Sequence, residues 1–137
     1  MVEIREARLD DLRDIVGIDP LGSIRAAEIE SLIRSAACLV TVSGNLVTGF
    51  VARRKRHFFD RDFVELLLVA PAHRRRGIGR ALMRRTLGDA EPSRVFVSTN
   101  ESNEAMQGLL AREGWIASGR VGGLDPEDDE LFYRTER

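Results

Sequence analysis

One segment changes character twice within a short distance: VELLLVAPAHRRRGIGRALM, residues 64–83. It begins as a run that is apolar apart from Glu65, passes through Pro71, and continues into three consecutive arginines at positions 74–76. Gly77 and Gly79 follow, and apolar residues then recur at helical spacing. The segment therefore predicts a buried strand, a cationic glycine loop and the start of a helix in direct succession.

Such a succession is suited to binding a phosphate. The first turn of a helix leaves N–H groups without acceptors and carries partial positive charge, so it attracts anions. In an open α/β sheet, ligands bind where a strand ends and the next helix begins. Glycines let the backbone approach a phosphate without a Cβ, and Arg74, Arg75 and Arg76 can add charge-assisted bonds. We interpret the segment as a pyrophosphate-binding loop; the alternative is a solvated arginine turn.

Two established phosphate motifs do not fit this loop. The dinucleotide fingerprint needs three glycines in the order G-x-G-x-x-G, and only Gly77 and Gly79 are present. A P-loop needs Gly-Lys-Ser or Gly-Lys-Thr, and neither follows.

Length and composition set the broad class of protein. We expect residues 1–137 to form a single domain large enough for its own core. The formal net charge is −1, so no global field favours nucleic acid or an anionic membrane as a partner. A single cysteine, Cys38, excludes an internal disulfide and fits a reducing compartment. No apolar run is long enough to span a bilayer, so a cytoplasmic protein is expected.

The remaining elements follow from hydrophobic periodicity and turn residues. Helices are predicted from Asp10 or Asp11, from Ser23, from Ile78 to a point before Pro92, and over residues 103–113. Strands are predicted at residues 2–5, 38–42, 46–52, 63–69, 94–98, 115–121 and 131–135, with 63–69 buried on both faces. RRKRHFFDRD, residues 53–62, is interpreted as a polar loop or hairpin end, and GGLDPEDDE, residues 122–130, as an acidic turn. The order indicates a mixed α/β sheet with one parallel strand–helix–strand crossover.

The spacing R-x-x-G-x-G of Arg74, Gly77 and Gly79 resembles the acetyl-CoA motif of the GNAT N-acetyltransferase superfamily. ELLLVAPAHRRRGIGRALM is similar to that family's fourth strand, loop and third helix. NEAMQGLLAREGW, residues 103–115, resembles its asparagine, helix, glycine and aromatic segment. The likeness covers essentially the whole chain. It implies a mixed, mostly antiparallel sheet with a central splayed pair of parallel strands, flanked by about four helices.

The resemblance implies acetyl-CoA as cosubstrate and direct transfer of its acetyl group to an amine, without a covalent enzyme adduct. The pantetheine arm would lie between the fourth and fifth strands, and the pyrophosphate on the amides of residues 74–79. The implied cofactor-binding residues are Leu67, Leu68, Val69, Arg74, Arg75, Arg76, Gly77, Ile78, Gly79 and Asn103.

Two residues are candidates for acid–base chemistry. Glu65 interrupts an apolar run, where burying a carboxylate is costly and therefore suggests a specific role. Several relatives place a catalytic base at this point. An edge-facing glutamate paired with an arginine is the alternative. Leu110 stands where many relatives carry the tyrosine that protonates the CoA thiolate. The sole tyrosine, Tyr133, is then the candidate acid, with simple packing at a sheet edge as the alternative.

No metal site is expected, because one cysteine and two histidines sixteen apart, His57 and His73, do not have a zinc spacing. Two classes of function remain. The first is an acetyl-CoA-dependent N-acetyltransferase acting on a small-molecule or protein amine of unspecified identity. The second is a non-catalytic, acyl-CoA-binding regulatory module of the same fold. Members of this family often dimerise, so the sequence leaves a homodimer open.

Overall fold

A computed structural model describes residues 2–35, 38–88 and 94–136. The helices are α1 (Leu12–Ile18), α2 (Gly22–Arg34), α3 (Ile78–Gly88) and α4 (Glu104–Arg112). The strands are β1 (Glu3–Glu6), β2 (Cys38–Ser43), β3 (Leu46–Phe58), β4 (Arg61–Val69), β5 (Val95–Asn100), β6 (Ile116–Asp125) and β7 (Asp128–Arg134). The predicted bounds of β1, β2, β4, β5 and α4 were right to within two residues. Pro92, which was expected to follow α3, lies outside the described residues.

The strands form one sheet in the order β1-β2-β3-β4-β5-β7-β6. β1 with β2, β2 with β3, β5 with β7 and β6 with β7 are antiparallel pairs, whereas β4 and β5 are parallel. In the parallel pair, Asp62, Phe63 and Val64 lie opposite Val95, Phe96 and Val97, in the amino-terminal halves of both strands. The predicted fold class, a mixed and mostly antiparallel sheet with one parallel pair, is confirmed.

The chain divides into two compact units, and the first contains residues 1–54 and 66–89. The apolar stripe of α2 includes Ile29 and Leu32, which pack in a core with Val40, Val47 and Phe50 of β2 and β3. These five side chains are almost completely buried. The periodicity that predicted helix and strands therefore also identified the face that each element buries.

Cys38 begins β2 and belongs to this core, with 3% of its surface exposed. Burial raises the pKa of its thiol to about 12, against a smaller lowering by the charge of Arg54. The thiolate is the nucleophilic form, so the folded protein holds its cysteine unreactive at neutral pH.

A charged cluster joins β1 to the turn before α1. The guanidinium of Arg5 donates two hydrogen bonds to the Asp11 carboxylate, at 2.8 and 2.9 Å. The backbone N–H of Arg8 donates a third, at 2.8 Å. The bond from Arg5, followed by that from Arg8, lowers the pKa of Asp11 against the opposing effect of burial.

We expect Asp11→Asn to destabilise the fold by about 1–3 kcal/mol at neutral pH, because a bidentate, charge-assisted pair is lost. The folded-state pKa of Asp11 is depressed, so its contribution is present above the ordinary carboxyl pKa and disappears as pH falls through the lower folded value. Urea unfolding at several pH values should therefore show that the free energies of unfolding of the wild type and of Asp11→Asn become equal at acidic pH. A gap independent of pH, or an equal loss in the exposed control Asp14→Asn, would contradict this.

The second unit contains residues 55–65 and 90–137. Phe58 is the centre of an aromatic cluster and lies 5.2 Å from Phe63, 5.2 Å from Phe96 and 5.6 Å from Phe132, measured between ring centroids. Val95 and Val97 of β5 are buried, as is Trp115, which follows α4.

Of the two interpretations of residues 53–62, the hairpin end is confirmed, since residues 53–58 continue β3 and residues 61–62 begin β4 around a two-residue turn. Two other expectations of the sequence were wrong. Most of residues 122–130 extend β6 and β7, because partners such as Asn100 and Ser102 hydrogen-bond the carboxylates and offset their repulsion. β4 is not buried on both faces: Val64 is buried, and the other apolar residues of the strand are half-buried.

Candidate functional site

The carboxyl-terminal part of β4 presents one apolar face to the core and the other face away from it. Leu66 and Leu68 pack against the core of the first unit. Because side chains alternate along a strand, Leu67 and Val69 point to the opposite face, where both are half-buried. The strand is then held at its end, since the N–H of Ala70 donates to the carbonyl of Thr48 at 2.8 Å. This bond fixes the position from which the arginine loop begins.

The loop after β4 is an ordered turn with exposed cationic side chains. A single 3-10 turn, Pro71–His73, is closed by the His73 N–H, which donates to Ala70 at 2.8 Å. Arg74 folds back and its Nε donates to the carbonyl of Val69 at 3.4 Å. Arg75 has a φ of 64°, in the left-handed region that L residues rarely adopt.

Gly77 makes the transition from this loop to α3. Its φ is 78°, and a Cβ at this position would meet no atom within 4 Å. Its carbonyl accepts the first helical bond, from the N–H of Ala81 at 3.0 Å. The N–H groups of Ile78 and Gly79 are in the first turn, where a helix provides no acceptors. Open space beside a glycine, first-turn amides and exposed arginines together fit a phosphate-bearing ligand.

Two residues that the sequence reasoning missed set the position of α3. Gly49 in β3 faces this helix, and a Cβ there would lie 2.7 Å from Ile78 Cγ2 and 3.0 Å from Leu82 Cδ1. At the other end of the helix, the buried guanidinium of Arg53 donates to the carbonyl of Thr86 at 2.6 Å. A glycine inside a strand signals close backbone approach and could have indicated Gly49. Nothing in the pattern distinguished Arg53 from its charged neighbours.

Asn103 was implied as a contact of the cofactor. It is the N-cap of α4, where its Oδ1 accepts a hydrogen bond from the N–H of Met106 at 3.1 Å. Its backbone carbonyl accepts from the N–H of Gln107 at 3.2 Å. The structure thus gives Asn103 a capping role, and its contact with a cofactor stays a prediction.

Leu110, at the position where relatives carry a tyrosine, has no exposed surface. Its backbone carbonyl accepts from the N–H of Trp115 at 3.0 Å, beyond the end of α4. The side chain is therefore part of the interior of the second unit.

The two acid–base candidates lie on different strands of the second unit. Glu65 is half-buried in β4, directly after the buried Val64. Tyr133 is half-buried in β7, opposite Val97 of β5 and Ala117 of β6. The structure thus groups residues 67–79 in the first unit and assigns Glu65, Asn103 and Tyr133 to the second.

Two other features are absent from the described residues. Over residues 2–35, 38–88 and 94–136, no group of three or more His, Cys, Asp or Glu side chains is placed to hold a metal ion. None of the helices in those ranges combines the length and apolar composition needed to cross a membrane.

Comparisons of the sequence and of the structure with known proteins indicate the same family. The acetyltransferase (GNAT) family model matches residues 2–115. An acetyltransferase of the GNAT family from Bacillus cereus is 36% identical, with a TM-score of 0.91, covering 100% of this chain and 98% of its own. No curated protein sequence matches significantly.

Two solved structures at lower identity share the fold. yncA from Salmonella typhimurium, solved with its cofactor acetyl-CoA, is 21% identical, with a TM-score of 0.79 and coverage of 98% of this chain and 92% of its own. A ribosomal-protein-alanine N-acetyltransferase from Brucella melitensis is 20% identical, with a TM-score of 0.79 and coverage of 97% and 98%.

Proposed function

The chain belongs to the acetyltransferase (GNAT) family, and from this premise we propose that it transfers the acetyl group of acetyl-CoA directly to an amine. The observation that carries the proposal is the junction of β4 and α3. There the open Gly77, the first-turn amides and the exposed arginines fit the diphosphate of CoA. The fold neighbour from Salmonella typhimurium was solved with acetyl-CoA, which supports the same ligand here.

The chain's own groups would hold the two parts of CoA separately. The amides of residues 74–79 and the guanidinium groups of Arg74, Arg75 and Arg76 would bind the diphosphate. Main-chain groups of Leu67, Leu68 and Val69 would bond to the pantetheine arm, beside the half-buried face of β4. Asn103 would contribute from the start of α4. Bound acetyl-CoA supplies an activated thioester carbonyl.

Glu65 would remove the proton that an acceptor ammonium must lose before its nitrogen can attack. In β4 it has the same parity as Leu67 and Val69, so the alternation of the strand directs it to the face proposed for pantetheine. Neutralising a lysine amine at pH 7 costs about 4.6 kcal/mol, whereas an α-amine costs about 1 kcal/mol. A single carboxylate base therefore suits α-amines and other amines of low pKa.

The proposal is tested by thiol release from acetyl-CoA in the presence of a panel of amines, with the acetylated product identified by mass. We expect release that depends on the amine and is fastest for acceptors of low pKa. Leu110 favours one competing function, an acyl-CoA-binding regulatory module, because the usual acid is replaced by a buried leucine. Tight CoA binding without thiol release for any amine would establish that alternative.

Tyr133 is proposed to protonate the departing thiolate. We expect Tyr133→Phe to lower turnover about tenfold, less than a typical general acid contributes, because a thiol of pKa near 8.5 leaves readily. The substitution keeps the ring between Val97 and Ala117 and removes only the hydroxyl. CoA affinity should be unchanged, and the alkaline limb of the pH–rate profile should shift. Wild-type rates throughout would show that Tyr133 only packs in the sheet.

A further inference from the structure

β5 has one face in the interior of the second unit and another face that is partly open. Val95, Val97 and Thr99 are buried, whereas Phe96 and Ser98, which alternate with them, are half-buried. We call the side of the sheet to which Phe96 and Ser98 point the open face. A partly exposed sheet face that carries large apolar side chains is suited to binding a ligand.

The aromatic cluster of the second unit lies on this open face. It consists of Phe58, Phe63, Phe96 and Phe132, whose ring centroids are 5.2 to 6.5 Å apart where they contact. The register supports the placement, because Phe63 lies opposite Phe96 and Phe132 lies opposite Ser98. All four phenylalanines are half-buried. The rings therefore contact one another and still expose apolar surface on which a further ring can pack.

Glu65 lies beside the aromatic cluster on the same face. It is the second residue after Phe63 in β4, so the two side chains point to the same side, about 7 Å apart along the strand. The pairing of β4 with β5 ends at Val64 and Val97. Glu65 is thus the first residue of β4 beyond that pairing, and its carboxylate borders the apolar surface of the rings.

We propose that the acceptor of the proposed acetyl transfer, on which this inference rests, is an amine that carries an aromatic or large apolar group. Its ammonium would lie at the carboxylate of Glu65 while its ring packs against the aromatic cluster. Removal of that ring from water favours binding, and stacking fixes its orientation. Since bonds are about 1.5 Å long, a ring roughly three bonds from the nitrogen can reach the cluster from Glu65. Arylethyl amines and the α-amine of phenylalanine have this spacing.

The chemistry stays that of the proposed function. The ammonium gives one proton to Glu65, and the neutral nitrogen then bonds to the acetyl carbon as the carbon–sulfur bond to CoA breaks. A second proton passes from the nitrogen to the sulfur, so that the products are the N-acetyl amine and the CoA thiol. The aromatic cluster changes none of these steps and acts by holding the amine at Glu65.

The carboxylate beside the aromatic cluster favours an amine over other apolar ligands. A charged group at the border of an apolar surface fits a ligand with the opposite charge at one end and an apolar group at the other. The acyl group of a donor has no positive charge to place at Glu65. The cluster therefore suits the acceptor better than the donor.

The test compares three acceptors, glycinamide, leucinamide and phenylalaninamide, at saturating acetyl-CoA. All three are α-amines, and kcat/KM is calculated for the un-ionised amine so that differences in pKa cancel. We expect phenylalaninamide to exceed glycinamide by at least about tenfold, with leucinamide between them. Because both values come from one preparation, their ratio does not depend on the fraction of the protein that is folded.

Two variants reduce the aromatic cluster. Phe63→Leu and Phe132→Ala should each lower the phenylalaninamide-to-glycinamide ratio several-fold, chiefly by raising KM for phenylalaninamide, because they remove binding that is equal in the ground state and the transition state. Phe50→Leu is the matched control. It shortens a phenylalanine that is fully buried in the first unit, so it should cost stability and leave the ratio unchanged.

Three results would overturn this inference alone. The first is an equal kcat/KM for the three amides, and the second is a ratio that neither Phe63→Leu nor Phe132→Ala changes. The third is a preference for phenylacetyl-CoA over acetyl-CoA that the same two variants remove, since the aromatic cluster would then bind the donor. Absence of thiol release with every amine would contradict the proposed function as well, so the two failures are distinguishable.

Discussion

Gly79→Asp is expected to weaken CoA binding by about a hundredfold or more while the chain stays folded, since like charges brought together in a binding site cost several kcal/mol. Gly79 is the second residue of α3, where an aspartate favours the helix through its dipole. The same carboxylate would stand beside the amides proposed to bind the diphosphate, and would repel it. Folding and ligand binding are therefore expected to change in opposite directions.

Isothermal titration with CoA measures the first effect, and thermal unfolding of the ligand-free protein measures the second. Gly17→Asp is the matched control: it introduces the same side chain at an exposed glycine of α1 that has open space around it. The control should bind CoA like the wild type. Unchanged affinity in a folded Gly79→Asp protein would remove the loop from the CoA site.

Glu65→Gln is expected to lower turnover by roughly a hundred- to ten-thousandfold with CoA affinity nearly intact, the usual range for loss of a general base. Glutamine keeps the shape of the side chain and cannot take a proton at neutral pH. The loss should be largest for acceptors of high pKa, which depend most on deprotonation. The acid limb of the pH–rate profile, which reports the ionisation of the general base, should also be altered in the variant.

A panel of amines graded by pKa, assayed at saturating acetyl-CoA, measures this dependence. Glu6→Gln makes the same change at an exposed glutamate of β1 and should retain full activity. If Glu65→Gln stays within a few-fold of the wild type for every acceptor and pH, Glu65 has a structural role. Failure of this prediction leaves the Gly79→Asp result unaffected, so binding and chemistry are judged separately.

The segment at residues 64–83 could be predicted from the sequence because each of its parts has a strong local signal. A run of consecutive apolar residues favours a strand in the sheet, a glycine adopts φ values that other residues avoid, and apolar residues at helical spacing form a buried stripe. The structure has β4, the left-handed Gly77 and α3 in that order. Sequence alone thus located the junction on which the proposed function rests.

The sequence predicted a polar loop or hairpin end at residues 53–62 and a turn within residues 122–130, but not how far the strands extend into them, since their composition resembles that of solvated loops. In the first of these turns, Phe59 and Asp60 are left-handed residues that are not glycine, so the usual signal of a two-residue hairpin turn is missing there. The structure of these segments is determined by pairing of one strand with the next, and that pairing depends on residues distant in the chain. Gly49 and Arg53 were missed for a related reason: their roles depend on a helix about thirty residues later.

The buried thiol of Cys38 also makes the enzyme assay cleaner. With a pKa of about 12, only about one molecule in ten thousand has a thiolate at pH 8. A disulfide reagent such as Ellman's would then react with the free thiol of released CoA and hardly at all with the folded protein. In denaturant the same reagent also measures the rate of unfolding, because each chain that unfolds exposes one thiol, which releases one equivalent of the coloured product. One side chain, silent in the native state, thus gives background-free turnover and an internal count of damaged molecules.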